Sequence, residues 1–292
     1  MSAQYKLTQF GQGAAILQSR GDDPLPLDVI AKNVPAVFAT AAHTSRSQRF
    51  VPVPTAELLE GLARQGFRPF HVAQAGAGDE SRLGFTKHMI RLRHASTPAV
   101  RPEFGRIVPE VIVTNANDGT AAYTISLGLF RFVCLNGLMV GQQYVSARVP
   151  HSGRAARVID DVIEGTFSVV KDAPAIVDAT AALHAITMPQ EARLAFARDA
   201  MALRWGTEAP PISPERALLA RRTSDTGRDI WSTFNVLQEN ILQGGASYAF
   251  RSGPTARPQR RHVRPLRGIG DGSRINRALW DEAQQWRAAL AT

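Results

Sequence analysis

Cysteine is nearly missing from this chain of 292 residues: Cys134 stands alone. One thiol can neither close an internal disulfide nor build a thiolate zinc cluster. Its neighbours Phe132, Val133 and Leu135 read as a buried, inert setting rather than a nucleophile's. No stretch approaches eighteen consecutive apolar residues, so no transmembrane helix is expected. The first twenty residues lack an apolar signal core, and the expected compartment is the cytoplasm, with no membrane partner. Nucleotide and metal motifs are absent too. Nothing matches the phosphate-binding Gly-x4-Gly-Lys-Ser/Thr loop or His-Glu-x-x-His, and Gly76-x-Gly78 lacks the third glycine of a dinucleotide fingerprint. Asp160, Asp161 and Glu164 cluster on one helical stretch, which reads as a solvated face, because metal-dependent sites gather carboxylates from several elements. The expectation is therefore a protein without cofactor or metal, and not an enzyme.

Lysine is scarce as well, at four residues against thirty arginines, within a net charge of +9. Arginine's planar fork binds phosphate through two bonds and stacks on bases. Between Arg251 and Arg277 stand eight arginines and one acid, Asp271, so most of the net charge sits in one short stretch. Its densest part holds Arg257, Arg260, Arg261, Arg264 and Arg267, with Pro258 and Pro265 among them and almost no apolar side chain. Such a segment is expected to extend from the body as a flexible basic arm over 251–272. A basic arm meets an anionic polymer, solvates a linker, or touches an anionic membrane surface. A second basic cluster, Arg82, Lys87, Arg91, Arg93, Arg101 and Arg106, faces only Glu103.

The pattern divides the chain into an irregular segment at 1–50, one domain at 51–250, the arm, and a C-terminal helix at 273–292. Helices are expected at 27–32 and at 56–65, the latter capped by Thr55. Period-two alternation then predicts strands at 68–76, 84–94, 109–116, 120–134 and 139–149, with Asn117-Asp118-Gly119 and Asn136-Gly137 as hairpin turns. One face of this sheet is expected to be dry and the other wet, with Lys87, Arg91 and Arg93 aligned on the wet side. Helical periodicity follows from about 155 to 170, from Thr187 to Trp205, at Ser213-Pro214-Glu215, and from Arg228 to Gln243. Ile230, Phe234, Leu237 and Ile241 form the apolar stripe of that last helix; Asn235, Gln238 and Glu239 form a polar face beside it, and Gly244-Gly245 stops it. Trp231 is expected to be buried with its indole N–H paired. Ser273 is the expected cap of the final helix. The fold class is α+β, an antiparallel β-meander in the middle of the chain packed against C-terminal helices.

Three stretches carry a family resemblance. They are Pro109 to Gly119 (PEVIVTNANDG), Gly128 to Gly137 (GLFRFVCLNG) and Trp231 to Asn240 (WSTFNVLQEN) with Gly244-Gly245. The chain resembles the phage- and plasmid-borne domain-of-unknown-function family 932 over about residues 50–250. Leu135 departs from the serine of the family pattern. The resemblance implies a mobile-element setting and supplies no catalytic residue. More loosely, the order of strands and long helix with a basic face is similar to single-strand annealing proteins of the lambda Beta type, which assemble into rings or filaments and hold DNA without cofactor.

Two functions remain open on these grounds. One is nucleic-acid binding, with single-stranded DNA favoured, possible annealing or recombination, and homo-oligomerisation expected. Lys87, Arg91, Arg93 and Arg131 would meet phosphates, Phe130 and Phe132 would offer stacking platforms, and the arm would add attraction. The other is an anti-defence or regulatory module that binds a protein partner and not DNA.

Overall fold

The structure is a computed structural model that describes residues 5–95, 107–131, 136–139, 146–149, 151, 160, 164, 166–167, 171, 173–253 and 256–291. The chain forms two compact units. The first holds residues 1–99, 108–129 and 144–173, and the second holds 100–107, 130–143 and 174–292.

The N-terminal fifty residues are not irregular. Strands β1 (Tyr5–Gln9) and β2 (Ala15–Ser19) pair antiparallel, and Ala15, Leu17 and Ser19 alternate as buried residues. Gly11 and Gly13 lie in the connection between them, where Gly13 takes a φ of +73°. Helix α1 (Leu27–Asn33) packs beside β2, and α2 (Thr55–Arg64) buries Leu58, Leu59 and Leu62 and packs on β3 (Phe67–Gln74). The sheet continues antiparallel through β3, β4 (His88–His94), β5 (Ile107–Asn115) and β6 (Tyr123–Arg131), and β8 (Ser146–Val149) also pairs with β6. The antiparallel meander in the middle of the chain is thus present, and with helices toward the C-terminus the fold is α+β.

Two local features refine the strand reading. Pro69 has no N–H to give a ladder, and the β3–β4 register shifts between Pro69 and His71. Residues Glu80–Phe85 form a 3-10 turn, so β4 starts at His88 rather than at 84. Asn117-Asp118-Gly119 does turn the chain between β5 and β6. Gly119 adopts a φ of +80°, and the Asp118 carboxylate accepts from the Thr120 N–H at 3.0 Å. Asn136-Gly137 is not a turn: the pair opens β7 (Asn136–Met139), in the second unit.

Thr55 does not cap α2. Its hydroxyl belongs to a buried polar chain. His88 Nδ1–H donates to the Thr86 carbonyl at 3.1 Å, so Nε2 accepts from Thr55 Oγ1 at 2.9 Å. Asn115 Nδ2 donates to Thr55 Oγ1 and to the Val53 carbonyl. Burial lowers the His88 pKa to about 4 from an ordinary value of 6.5, which keeps the imidazole neutral in the folded state. The unfolded chain therefore takes up that proton first. Stability from His88 is complete above pH 6.5 and falls as the pH drops toward 4, by up to about 1.4 kcal/mol per unit. Urea midpoints across pH 4–7 should show this acid slope, and His88→Gln should reduce it.

In the second unit, α3 (Ala173–His184), α4 (Gln190–Trp205) and the single turn α5 (Pro214–Ala217) precede α6 (Ile230–Leu237). Only Ala173 of these residues belongs to the first unit. Ser213 caps α5 by accepting from the Arg216 N–H, and Asp229 caps α6 by accepting from Ser232 N–H at 2.8 Å. The expected helix to Gln243 changes pitch at Gln238–Leu242, which form a π-helical turn. The last helix, α7 (Ile269–Leu290), starts before Ser273, which caps nothing. It packs on α4 and α6. Trp231 is buried as expected, but its indole N–H has no hydrogen-bond partner among the described residues. Most of the helix expected at 155–170 lies outside the described residues.

Candidate nucleic-acid interface

The basic stretch is not a flexible arm. Gln259–His262 form β10, which pairs antiparallel with β9 (Ser247–Phe250). The physical reasons lie at its ends. Val263 is buried, and its N–H donates to the Ala246 carbonyl at 2.9 Å. Leu266 N–H donates to the Leu242 carbonyl at 2.8 Å, which ties the returning chain to the π turn. Gly244 permits that return: its φ is +80°, and a Cβ there would lie 2.5 Å from the Val263 carbonyl oxygen. Arg216 holds β9 from beside it, donating to both the carbonyl and the hydroxyl of Ser247. Arg204 donates to the Arg264 carbonyl.

This frame fixes the backbone and leaves the cations in solvent. Arg251, Arg257, Arg260, Arg261, Arg264 and Arg267 are all exposed. Among the described residues, no carboxylate pairs with Arg257, Arg260, Arg261 or Arg264. Arg261 stands opposite Tyr248, and opposite residues share a face, so Tyr248, Phe250, Gln259 and Arg261 lie on one side of the hairpin. The Arg261 guanidinium sits 3.6 Å from the centroid of the Phe250 ring. Arg260 and His262 occupy the other side, with Ala249 and Ser247. The residue-level reading missed Tyr248 and Phe250. Their alternation was available, but a four-residue strand beside a Gly-Gly pair gave too short a pattern to separate from a loop.

The cations expected on the sheet lie elsewhere than in solvent. Arg91 and Arg93 are buried, and both donate to the carboxylate of Glu110, Arg93 at 2.9 Å. The Arg93 guanidinium also stacks 4.0 Å from the Phe70 centroid. Burial pulls the Arg93 pKa down, and the neighbouring Glu110 pulls it back up. Arg91 further donates to the Leu129 carbonyl at 3.1 Å. The face expected to be wet is therefore covered here, and a phosphate cannot reach these two guanidinium groups. Lys87 is half-buried, just ahead of β4. Phe130 is buried, and Phe132 and Cys134 lie outside the described residues.

Arg131 is also buried, and donates to Asp225 at 2.7 Å. Arg222 lies between Asp225 and Glu239, pairing closely with the latter, and Arg221 reaches Glu239 at 3.5 Å. The expected polar face of α6 and the π turn is thus internal. Gln238 donates to Asn276 Oδ1 at 2.7 Å, and Asn240 donates to the carbonyls of Ala217 and Leu219. These groups hold the second unit together rather than present a surface.

Residues 42–280 match the family described as a domain of unknown function (DUF932). The chain belongs to this family. Two Escherichia coli (strain K12) proteins, UPF0380 protein YafZ and UPF0380 protein YfjQ, are each 38% identical over 272 residues, which is 93% of this chain and 94% of theirs. No solved structure matches. The resemblance seen in the three sequence stretches is therefore real, and in this DUF932 chain Asn117 and Asp118 fall on a turn, while Glu110, Asn115, Arg131, Gln238, Glu239 and Asn240 belong to buried networks. Among the described residues no helix is long and apolar enough to cross a membrane.

Proposed function

We propose that the chain binds nucleic acid, single strands in preference, through the β9–β10 hairpin. The observation that carries this reading is a hydrogen-bonded ribbon with exposed arginines and with Tyr248 and Phe250 on one face. Cations track the phosphate backbone, and half-buried rings accept unstacked bases, which a duplex does not offer. Arg261, already seated on Phe250, fits either a phosphate or the face of a base. Arg91, Arg93 and Arg131 have no part in it. Annealing and self-assembly into a ring or filament extend the same proposal, with sedimentation of the chain with and without single-stranded DNA as their test.

The direct test is a salt series. Arg257, Arg260, Arg261 and Arg264 are replaced together by glutamine, which leaves the β10 backbone and Val263 in place. If each arginine neutralises one phosphate, the slope of log affinity against log salt on single-stranded DNA falls by about 2–3. The loss should be similar on all sequences, because phosphate contacts carry no sequence information. Equal slopes for the variant and the parent chain remove the hairpin from the interface and favour docking on a protein.

A further inference from the structure

A second constellation lies in the first unit, built from residues that no sequence pattern groups together. His43 is buried and pinned, with its backbone N–H donating to the Asn117 carbonyl at 3.0 Å and its ring edge-on to Phe85 at 5.5 Å. The Ser45 N–H donates to His43 Nδ1 at 3.2 Å, so that nitrogen carries no proton. Nε2 must then carry it, and it donates to Ser81 Oγ at 3.3 Å. The Ser81 hydroxyl donates in turn to Asp79 Oδ1 at 2.7 Å. These hydrogen bonds from Ser81 hold the Asp79 carboxyl below the usual carboxylate range, so it is ionised. The chain Asp79–Ser81–His43 thus fixes both the tautomer and the direction of the imidazole.

The acceptor nitrogen faces an exposed hydroxyl. Ser45 Oγ lies 2.9 Å from His43 Nδ1, and its proton has that nitrogen to go to. Its lone pairs receive guanidinium donors: Arg46 Nε and Nη2 at 3.3 and 3.2 Å, and Arg82 Nη2 at 3.3 Å. Arg46 fits because residue 119 has no side chain; a Cβ at Gly119 would lie 2.6 Å from Arg46 Nη1. A loop cap needs only the Ser45 N–H on the imidazole. It does not need two cations on the hydroxyl oxygen, and these lower the cost of forming an alkoxide. Asp79 also caps the Glu80–Phe85 turn through the Ser81 N–H, and through the Ser81 hydroxyl it orients the ring.

The geometry points to Ser45 as an activated nucleophile for phosphodiesters, with His43 as its general base and Arg46 and Arg82 as ligands of the phosphoryl oxygens. Ser45 Oγ attacks phosphorus and its proton passes to His43 Nδ1. The bond from phosphorus to the leaving oxygen breaks, and that oxygen takes the proton from His43. Water, deprotonated by His43, then attacks the phosphoserine and returns the free hydroxyl. Asp79 and Ser81 are positioning residues. This inference stands apart from the hairpin and does not depend on it.

The test uses the full chain and a fluorophosphonate–biotin probe, which forms a phosphorus–oxygen bond at an activated serine and releases fluoride. Labelling should map to Ser45 by mass spectrometry and vanish in Ser45→Ala. It should slow by about 100-fold or more in His43→Ala, the usual size of a general base's contribution. Arg82→Gln, a change at a side chain half in solvent, keeps the test independent of any folding defect in His43→Ala and should also slow labelling. Release of p-nitrophenolate from bis(p-nitrophenyl) phosphate, lost in Ser45→Ala, should accompany it. Absence of label at Ser45 in the parent chain overturns the nucleophile. Labelling with cleavage of p-nitrophenyl acetate alone overturns the phosphodiester assignment.

Discussion

Glu110→Gln should be among the most destabilising single substitutions in the first unit, at about 3–5 kcal/mol. Glu110 is 1% exposed and its two oxygens take one guanidinium each, from Arg91 and Arg93. Removing the charge takes from two buried cations the carboxylate they share; Arg91 keeps the Leu129 carbonyl, and Arg93 keeps the Gly21 carbonyl, the Phe70 ring and the attraction of Asp22. Taking charges out of water is unfavourable unless an opposite charge stands beside them, and here one carboxylate already serves two cations. A loss of this size lowers the melting temperature by roughly 10 °C for a unit of this length. Thermal unfolding followed by circular dichroism measures it. The companion variant Glu110→Leu with Arg91→Met and Arg93→Met removes all three charges and should recover much of the loss. If Glu110→Gln melts with the parent chain, water reaches the two arginines and the burial described here is wrong.

The same triad shows why part of the site was illegible in the sequence. Lys87, Arg91 and Arg93 do alternate as a strand requires, and the strand is there. Alternation tells which residues share a face, but not what lies over that face. The cover comes from Glu110 on β5 and from the chain near Gly21, contacts separated by 17 to 72 residues. Arg131 repeats the lesson, because its partner Asp225 is 94 residues away. The basic segment failed in the opposite direction. Its composition suggested a solvated arm, yet one apolar residue, Val263, and two backbone hydrogen bonds anchor it as a hairpin. Local signals fared better where the cause is local: the positive φ of Gly119, the helix start at Ser213, and the stripe of α6 all follow from neighbours in sequence. The Ser45 constellation had no sequence signature, since His43, Ser81 and Gly119 meet only through the turns that carry them.

Phe234→Ala should cost about 3–5 kcal/mol in the second unit, the range for deleting a fully buried aromatic ring. Phe234 is 0% exposed. Its ring stacks on Trp231 at 5.8 Å with an interplanar angle of 9°, and meets the edge of Trp280 on α7 at 6.1 Å and 89°. It therefore joins α6 to the last helix through two rings that are themselves buried. The cavity left by alanine is bordered by the Trp231 indole, whose N–H has no hydrogen-bond partner among the described residues, so no polar bond holds Trp231 against collapse into the gap. Partial collapse places the cost toward the lower end of the range; a rigid cavity places it at the upper end. Intrinsic tryptophan fluorescence separates these cases, because collapse moves Trp231 and shifts its emission while a rigid cavity does not. The hairpin hangs on the same body, since Leu242 and Gly244 follow directly from α6 and its π turn. Under the proposed function, Phe234→Ala should consequently weaken single-strand binding near its lowered melting temperature while leaving the salt slope unchanged well below it, because the hairpin arginines remain. An unchanged melting temperature would show that the stripe of α6 does not form the centre of the second unit.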